Sequence, residues 1–215
     1  NKYFIMKLIA FDGPTSVGKT TQINLFCEYI TSKNMSYVLN DEHGGIRNYI
    51  NKFHAKNYYK RNLGSLTESF LWFAHYANRI EEVLENNTQT DYIIFDRFIF
   101  TPIIYQYLTL NIGRDIDFAE FTDSIKKLFN IGIKLPKYCK LVSFILNGDL
   151  ESLENRYRTR EKRILNQEEK NILRESINLY NSDSLFEIFN SKKILINTTN
   201  KNINSIHNEI VEELK

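Results

Sequence analysis

The sequence predicts an α/β protein in three layers, a five-stranded parallel sheet with helices on both faces. Three observations carry that prediction. Five short apolar runs rich in β-branched and aromatic residues recur along the chain: FIMKLIAF (4–11), SYVLN (36–40), DYIIFD (91–96), KLVSFIL (140–146) and KKILIN (192–197). Segments with three- and four-residue apolar spacing separate them, and a helix between successive strands is the connection that makes neighbours parallel and covers both sheet faces. The length of 215 residues, with 42% hydrophobic and 25% charged residues, suits a single domain of ordinary globular composition spanning 1–215.

Taken in order, the first run is apolar but contains Lys7 and ends in Asp12-Gly13, so it reads as a strand and not as a leader peptide or membrane anchor. Helical spacing follows over about Lys19 to Lys33, Leu66 to Glu85, Phe118 to Phe129, Leu150 to Arg160, Glu168 to Phe189 and Ile203 to Leu214. In the second of these, Leu66, Phe70, Phe73, Ala77, Ile80 and Leu84 recur at helical steps and form the expected core face. Glu68, Trp72, His75 and Arg79 form a second stripe along one edge. An aromatic ring, an imidazole and a guanidinium together suit stacking on a base and hydrogen bonding to it; a half-exposed helix with His75 on the surface is the other reading. The stretch RYRTREKRILNQEEK (156–170) lacks a sustained apolar stripe, and it reads either as a flexible arginine-bearing lid at about 158–168 or as a solvated helix face.

Charge narrows the function. The 28 basic and 26 acidic side chains leave a net charge of +2, too little for a broad field that would hold a nucleic acid polymer or a membrane surface, so any phosphate recognition must be local. Cys27 and Cys139 lack the paired spacing of a zinc site and are too few for a disulfide framework, which points to a reducing, cytoplasmic setting.

Local phosphate recognition has an obvious candidate. Gly13-Pro14-Thr15-Ser16-Val17-Gly18-Lys19-Thr20 fits the G-x-x-x-x-G-K-[ST] phosphate loop, between an apolar strand and a helix as the mechanism requires. Glycine permits positive φ and close backbone approach, so successive N–H groups can face a phosphate at the positive end of a helix; Thr21 continues that first turn. In such a loop Lys19 reaches the β- and γ-phosphates and Thr20 is the Mg²⁺ ligand. A second carboxylate near the metal is expected at a neighbouring strand end, and Asp96 ends the apolar run YIIFD. Arg97 beside it offers a planar fork for an acceptor phosphate. An Asp-Arg turn capping the next helix is the plainer alternative for that pair.

With these residues in place, the chain resembles the thymidylate kinase family over nearly its whole length. Asp96-Arg97-Phe98, Thr101 and Tyr105-Gln106 match the family's Asp-Arg-Tyr/Phe strand end with its following Ser/Thr and Tyr-Gln. Glu42-His43-Gly44-Gly45 resembles its Glu-Pro-Gly-Gly loop, Leu135-Pro136-Lys137-Tyr138-Cys139 its Leu-Pro-Lys-Pro-Asp turn, and ANRIEEV its substrate-facing helix. The resemblance implies a P-loop NTPase sheet in the order 2-3-1-4-5, ATP as phosphoryl donor, Mg²⁺, a pyrimidine deoxynucleoside monophosphate as acceptor, and a homodimer. It also implies roles: Asp96 at the metal or acceptor, Arg97 and Arg47 on the acceptor phosphate, and Arg79, Tyr105 and Gln106 around the nucleoside; Glu42 and Thr101 of the matched motifs and Trp72 and His75 of the helix stripe join them as candidate substrate contacts.

Two departures qualify it. Thr15 stands where the family places an acid, and the loop carries no arginine. Relatives that lack a loop arginine supply that charge from the lid, where Arg156, Arg160 and Arg163 recur at i, i+4 and i+7 and are expected to present three guanidinium groups to the cleft on one helix face. Two other functions compete with a monophosphate kinase: a deoxynucleoside kinase, which more often has Glu-Arg at the Asp96-Arg97 position, and a non-catalytic nucleotide switch, for which Asp41-Glu42-His43-Gly44 satisfies D-x-x-G but no Asn-Lys-x-Asp follows.

Overall fold

The computed structural model describes residues 6–40, 65–87, 89–110, 115–133, 135–136, 139–182, 185 and 191–214. Five strands, β1 (Met6–Asp12), β2 (Tyr37–Asn40), β3 (Tyr92–Asp96), β4 (Cys139–Asn147) and β5 (Lys192–Asn197), form one sheet in the order β2-β3-β1-β4-β5 with every pair parallel. All five strands fall on the predicted runs. Seven helices lie among the described residues: α1 (Lys19–Ser32), α2 (Ser65–Asn86), α3 (Phe100–Leu110), α4 (Phe118–Gly132), α5 (Leu150–Glu161), α6 (Gln167–Asn181) and α7 (Ile203–Glu212).

Alternation along the strands divides the core between the two faces. Met6, Leu8 and Ala10 of β1 pack with Phe73, Tyr76 and Ile80 of α2 and with the buried face of α3. Ile9 and Phe11 pack on the other side with Ile23, Phe26 and Ile30 of α1, Leu153 of α5 and Ile206 and Ile210 of α7. α6 serves both faces, contributing Leu173 to one cluster and Tyr180 to the other.

Helix α3 is the element that apolar spacing does not predict. FTPIIYQYLTL is rich in β-branched and aromatic residues and holds a proline, which its first turn tolerates because the N–H at that position would have no helical partner. Packing overrides propensity there, since Phe100, Ile103 and Ile104 are fully buried. The predicted core face of α2 is also shifted. Phe73 and Ile80 are buried as expected, but Tyr76 and Val83 complete the stripe, while Leu66 and Phe70 are 57% and 59% exposed. The fifth predicted helix ends at Asn181, where Ser182 turns extended, short of the expected Phe189.

Register then sets the site. β1 lies between β3 and β4, with Phe11 opposite Asp96 and Asp12 opposite Ile145. The carboxyl ends of β1 and β3 therefore open side by side where the strand order reverses, the crevice in which open α/β sheets bind ligands.

Candidate active site

The loop after β1 is shaped by its glycines. Gly13 sits at φ 141 against β4, where an added Cβ would lie 2.1 Å from the Leu146 carbonyl oxygen, so only glycine fits. Ser16 at φ 62 and Gly18 at φ 99 give the loop its other left-handed positions. Gly18 is the N-cap of α1 and brings no capping side chain, whereas Asp117, Asp149, Asn166 and Asn202 cap α4, α5, α6 and α7 through their side-chain oxygens. The buried Ser16 Oγ has no hydrogen-bond partner among the described residues. The Lys19 ammonium donates to the carbonyls of Gly13 at 2.9 Å and Pro14 at 2.8 Å, folded over the loop it springs from.

The turn after β3 is held from several sides. Arg97 adopts φ 63, a left-handed backbone that costs a non-glycine residue on the order of 1–2 kcal/mol. Its N–H donates to the Phe11 carbonyl at 3.0 Å and its own carbonyl accepts from Arg79 at 3.3 Å. The next N–H, of Phe98, donates to Asp12 Oδ2 at 3.0 Å, and Asp12 Oδ1 accepts from the Thr101 N–H at 3.1 Å and hydroxyl at 2.6 Å. Complete burial pushes the Asp12 carboxyl above its ordinary pKa, while the bonds from Thr101 and Phe98 and the charges of Lys19 and Arg97 oppose that rise.

Two cavities flank these turns. The larger, of about 1180 Å³, is lined by residues 15–22, Asp96, Arg97, Arg156, Arg160 and residues 201–204 at the start of α7. The smaller, of about 660 Å³, is lined by Thr15, Arg97 and Thr101, by Glu68, Trp72 and Tyr76 of α2, by Tyr105 and Gln106 of α3, and by α6. Thr15 and Arg97 belong to both, so the cavities meet at these two side chains.

Most predicted site residues converge here, with informative exceptions. Asp96, Lys19, Thr20 and Thr21 line the larger cavity; Trp72, Thr101, Tyr105 and Gln106 line the smaller. His75 is buried at 2% exposure, not on the surface, with its ring edge-on to Trp72 and Tyr76, and it lines neither cavity. Arg79 lies behind the wall of the smaller cavity: its guanidinium donates to the Asn40 side chain at 2.8 Å and carbonyl at 2.9 Å and stacks over Tyr76, tying α2 to the ends of β2 and β3. Glu42 and Arg47 lie outside the described residues, as do Lys137 and Tyr138.

The lid arginines separate into two groups. Arg156 donates to the Val17 carbonyl at 3.4 Å and the Thr198 carbonyl at 2.7 Å, bracing the phosphate loop against the turn after β5. Arg160 reaches Thr15 Oγ1 at 3.5 Å. Arg163 departs from the expected face because α5 ends at Glu161 and Lys162 turns left-handed at φ 57, which breaks the i, i+4, i+7 progression. Arg163 instead forks onto Glu169 at 2.7 and 2.8 Å and lies over the Tyr157 ring. Glu169, held below its ordinary pKa by that guanidinium, also completes the capping box of α6. The expected lid at 158–168 is thus the end of α5, a short turn and the start of α6.

Sequence reasoning missed Asp12 and residues 201–204 at the start of α7. The signal for Asp12 was the one used for Asp96, an acid closing a buried run. Residues 201–204 left a fainter one, a polar stretch after the last strand with Asn202 as helix cap.

Comparison with known proteins places these features in a family. The family model described as Thymidylate kinase matches residues 11–210. The chain is 31% identical over 211 residues to a probable thymidylate kinase of Methanococcus aeolicus, covering 97% of this chain and 95% of that one. It is 30% identical over 212 residues to a probable thymidylate kinase of Methanococcus maripaludis, with 97% and 94% covered. Among solved structures, thymidylate kinase of Candida albicans superposes with a TM-score of 0.68 at 19% identity, covering 98% of this chain and 91% of that one. That of Ehrlichia chaffeensis superposes with a TM-score of 0.62 at 21% identity, covering 98% and 100%. At those identities the two structures speak for the fold alone.

Proposed function

The chain belongs to the thymidylate kinase family and is a nucleoside monophosphate kinase, and from that premise we propose that it transfers the γ-phosphoryl group of ATP to the 5′-phosphate of dTMP. The observation that carries the reading is the meeting of the two cavities at Thr15 and Arg97. A donor in the larger cavity, its phosphates in the loop, would present its terminal phosphate at that junction to an acceptor in the smaller one.

The residues present fit the donor and its metal. The glycine-shaped loop, the uncapped start of α1 and the partnerless Ser16 hydroxyl offer donors to phosphate oxygens. Thr20 and Asp96, both on the larger cavity, are the hard oxygen ligands suited to Mg²⁺, which characteristically takes one or two protein groups and completes its shell with phosphate and water. The metal, when bound, neutralises charge on the donor's phosphates.

Each side chain then has a task. Lys19 exchanges its loop carbonyls for phosphate oxygens. Arg97 holds the acceptor phosphate, and Arg160 supplies at Thr15 the positive charge that the loop itself lacks. An acceptor phosphate oxygen attacks the γ-phosphorus in line, the bond to the bridging oxygen breaks, and ADP leaves; positioning and charge neutralisation do the catalysis. On the acceptor side, Trp72 would stack on a base and Gln106 hydrogen-bond it, a reading supported by their lining of the smaller cavity, where Ser69 anchors the Gln106 side-chain oxygen at 3.0 Å.

The test is ADP formation from ATP across a panel of nucleosides and nucleoside monophosphates. The expected result is acceptor-dependent turnover with dTMP, abolished by Lys19→Ala in a variant that melts like the parent. Turnover on thymidine but not dTMP would replace the reading with a nucleoside kinase. Hydrolysis indifferent to acceptor, or full activity of the Lys19 variant, would remove it.

A further inference from the structure

The proposed transfer uses Arg97 but leaves unexplained a buried chain of polar groups behind it. Asp12 is fully buried, and its carboxylate takes hydrogen bonds on both oxygens, from Phe98 N–H, Thr101 N–H and Thr101 Oγ1–H. Thr101 Oγ1 in turn lies 2.9 Å from the hydroxyl of Tyr180, another fully buried side chain, on α6. Both Asp12 oxygens already face backbone N–H donors, so the carboxylate fits its site as an acceptor. The single Thr101 hydroxyl proton then points to Asp12, and Tyr180 must donate to Thr101. The chain of bonds runs from α6, the helix that follows the lid turn, through the first turn of α3, to the residue preceding Gly13.

We infer that Asp12 and Tyr180 are positioning residues for acceptor binding: they fix the left-handed turn at Arg97 and the start of α3, so that Arg97 and Thr101 meet the acceptor in one geometry. The inference rests on the kinase reading of this site. Three bonds hold the Arg97 backbone: Phe11 takes its N–H, Arg79 its carbonyl, and Asp12 the N–H that follows. Asp12 is the one whose loss would also release Thr101, because it binds both ends of the turn. Tyr180 contributes from outside the turn, by donating to an acceptor lone pair of the Thr101 hydroxyl. Burying three such groups is costly unless each is satisfied, and together they are. The middle member of the network, Thr101, lines the acceptor cavity, and so does Arg97, the residue before the Phe98 N–H that Asp12 holds.

Trp72 gives a readout independent of turnover, since it is the only tryptophan in the chain and lines the acceptor cavity. Its fluorescence, titrated with dTMP and separately with ATP, should report acceptor affinity directly. Tyr180→Phe removes one hydroxyl without changing packing; it is expected to weaken dTMP binding and raise its KM about 5-fold, the size of one net hydrogen bond, with the KM for ATP unchanged. Asp12→Asn sets an amide N–H₂ against an N–H donor and should weaken dTMP binding by about 10-fold to 100-fold. Leu173→Val, on the same helix but packed against the opposite sheet face, serves as a stability control.

Should Tyr180→Phe lower the melting temperature as the Leu173 control does while both KM values stay at the parent's, the network is structural and the inference is overturned, with the kinase reading intact. The same holds if Asp12→Asn folds and keeps its dTMP affinity. A parent protein that neither binds dTMP nor turns it over would take down the kinase reading, and the inference with it.

Discussion

The ends of β1 and β3 lie in register, Phe11 opposite Asp96, and each turns sharply into a helix, yet they are held by different means. After β1 the left-handed positions fall on Gly13, Ser16 and Gly18, and Lys19 folds back onto the loop's own carbonyls. After β3 the left-handed position falls on Arg97, whose side chain lines both cavities, and the strain is offset by bonds from Phe11, Arg79 and Asp12, residues 18 to 86 positions away. A site made of backbone marks its own sequence, because only certain residues permit the path. A site made of side chains held by distant partners marks its sequence less fully: an acid closing an apolar run points to Asp96 and Arg97, but nothing local names Phe11, Arg79 and Asp12 as the groups that hold the turn.

The largest expected effect tests the backbone-built half with single methyl groups. Gly13→Ala puts a carbon 2.1 Å from the Leu146 carbonyl oxygen and 3.2 Å from Val17 Cγ1 at a φ of 141, so either β4 or the loop must move. The variant is expected to lose more than about 4 kcal/mol and to fail to fold or melt at least about 10 °C lower. Gly18→Ala meets nothing within 4 Å and carries only the cost of its φ of 99, about 1 kcal/mol and a few degrees. Equal melting temperatures for the two, read by circular dichroism, would mean that close approach to β4 does not define the loop.

The next effect is smaller and sits on the chemistry. The loop has no arginine, so in the proposed transfer that charge comes from α5, and geometry distinguishes two candidates that spacing had grouped. Arg160 pairs with Glu161 at 2.6 Å through Nε and still extends its far nitrogen to Thr15 at 3.5 Å, whereas Arg163 is forked onto Glu169 beyond the end of the helix. Arg160→Ala is expected to lower kcat about 100-fold or more, and Arg163→Ala to stay within about 3-fold, its exposed ion pair contributing little to stability. Reversal of that order in steady-state kinetics with dTMP would mean that the turn at 162–166 rearranges to bring Arg163 in.

The contrast between the strand ends also explains what was legible. All five strands and the phosphate loop were, because apolar runs and glycine positions are properties of local sequence. Helix α3 was not, because its β-branched composition disfavours the conformation that burial of Phe100, Ile103 and Ile104 imposes. The inward stripe of α2 is displaced because Tyr76, which the apolar spacing left out, is fully buried, while Leu66 and Phe70 are exposed. Arg79 was assigned to the substrate from the resemblance, and nothing in its own helix reveals that Asn40, at the end of β2, occupies its guanidinium. Asp12 carried a signal as strong as that of Asp96, and was passed over because the adjoining glycine motif accounted for the segment on its own.

The smallest effect returns to helix starts, where the same contrast recurs. α1 is capped at Gly18 with no capping side chain, which suits the phosphate binding proposed for it, while α5 is capped at Asp149, whose carboxylate accepts the Ser152 N–H at 2.7 Å and hydroxyl at 2.8 Å. The Ser152 N–H, followed by the hydroxyls of Thr199 and Ser152, holds the Asp149 carboxyl down at about 2, against an ordinary 3.8. A folded-state pKa depressed below the unfolded one stabilises the fold fully above the unfolded value and ceases to do so as pH falls through the folded one. Asp149→Ala should therefore cost about 1 kcal/mol at pH 7, a figure set by capping and not by the full shift because the group is exposed to solvent. In urea unfolding the gap between parent and variant should narrow as pH falls from about 4 toward 2. Asp149→Asn should keep most of the cap and lose that pH dependence, because its amide oxygen accepts the same bond without a titrating charge. A gap that stayed constant down to pH 2 would show that charge plays no part in closing this terminus, and that the contrast with the open start of α1 is one of geometry alone.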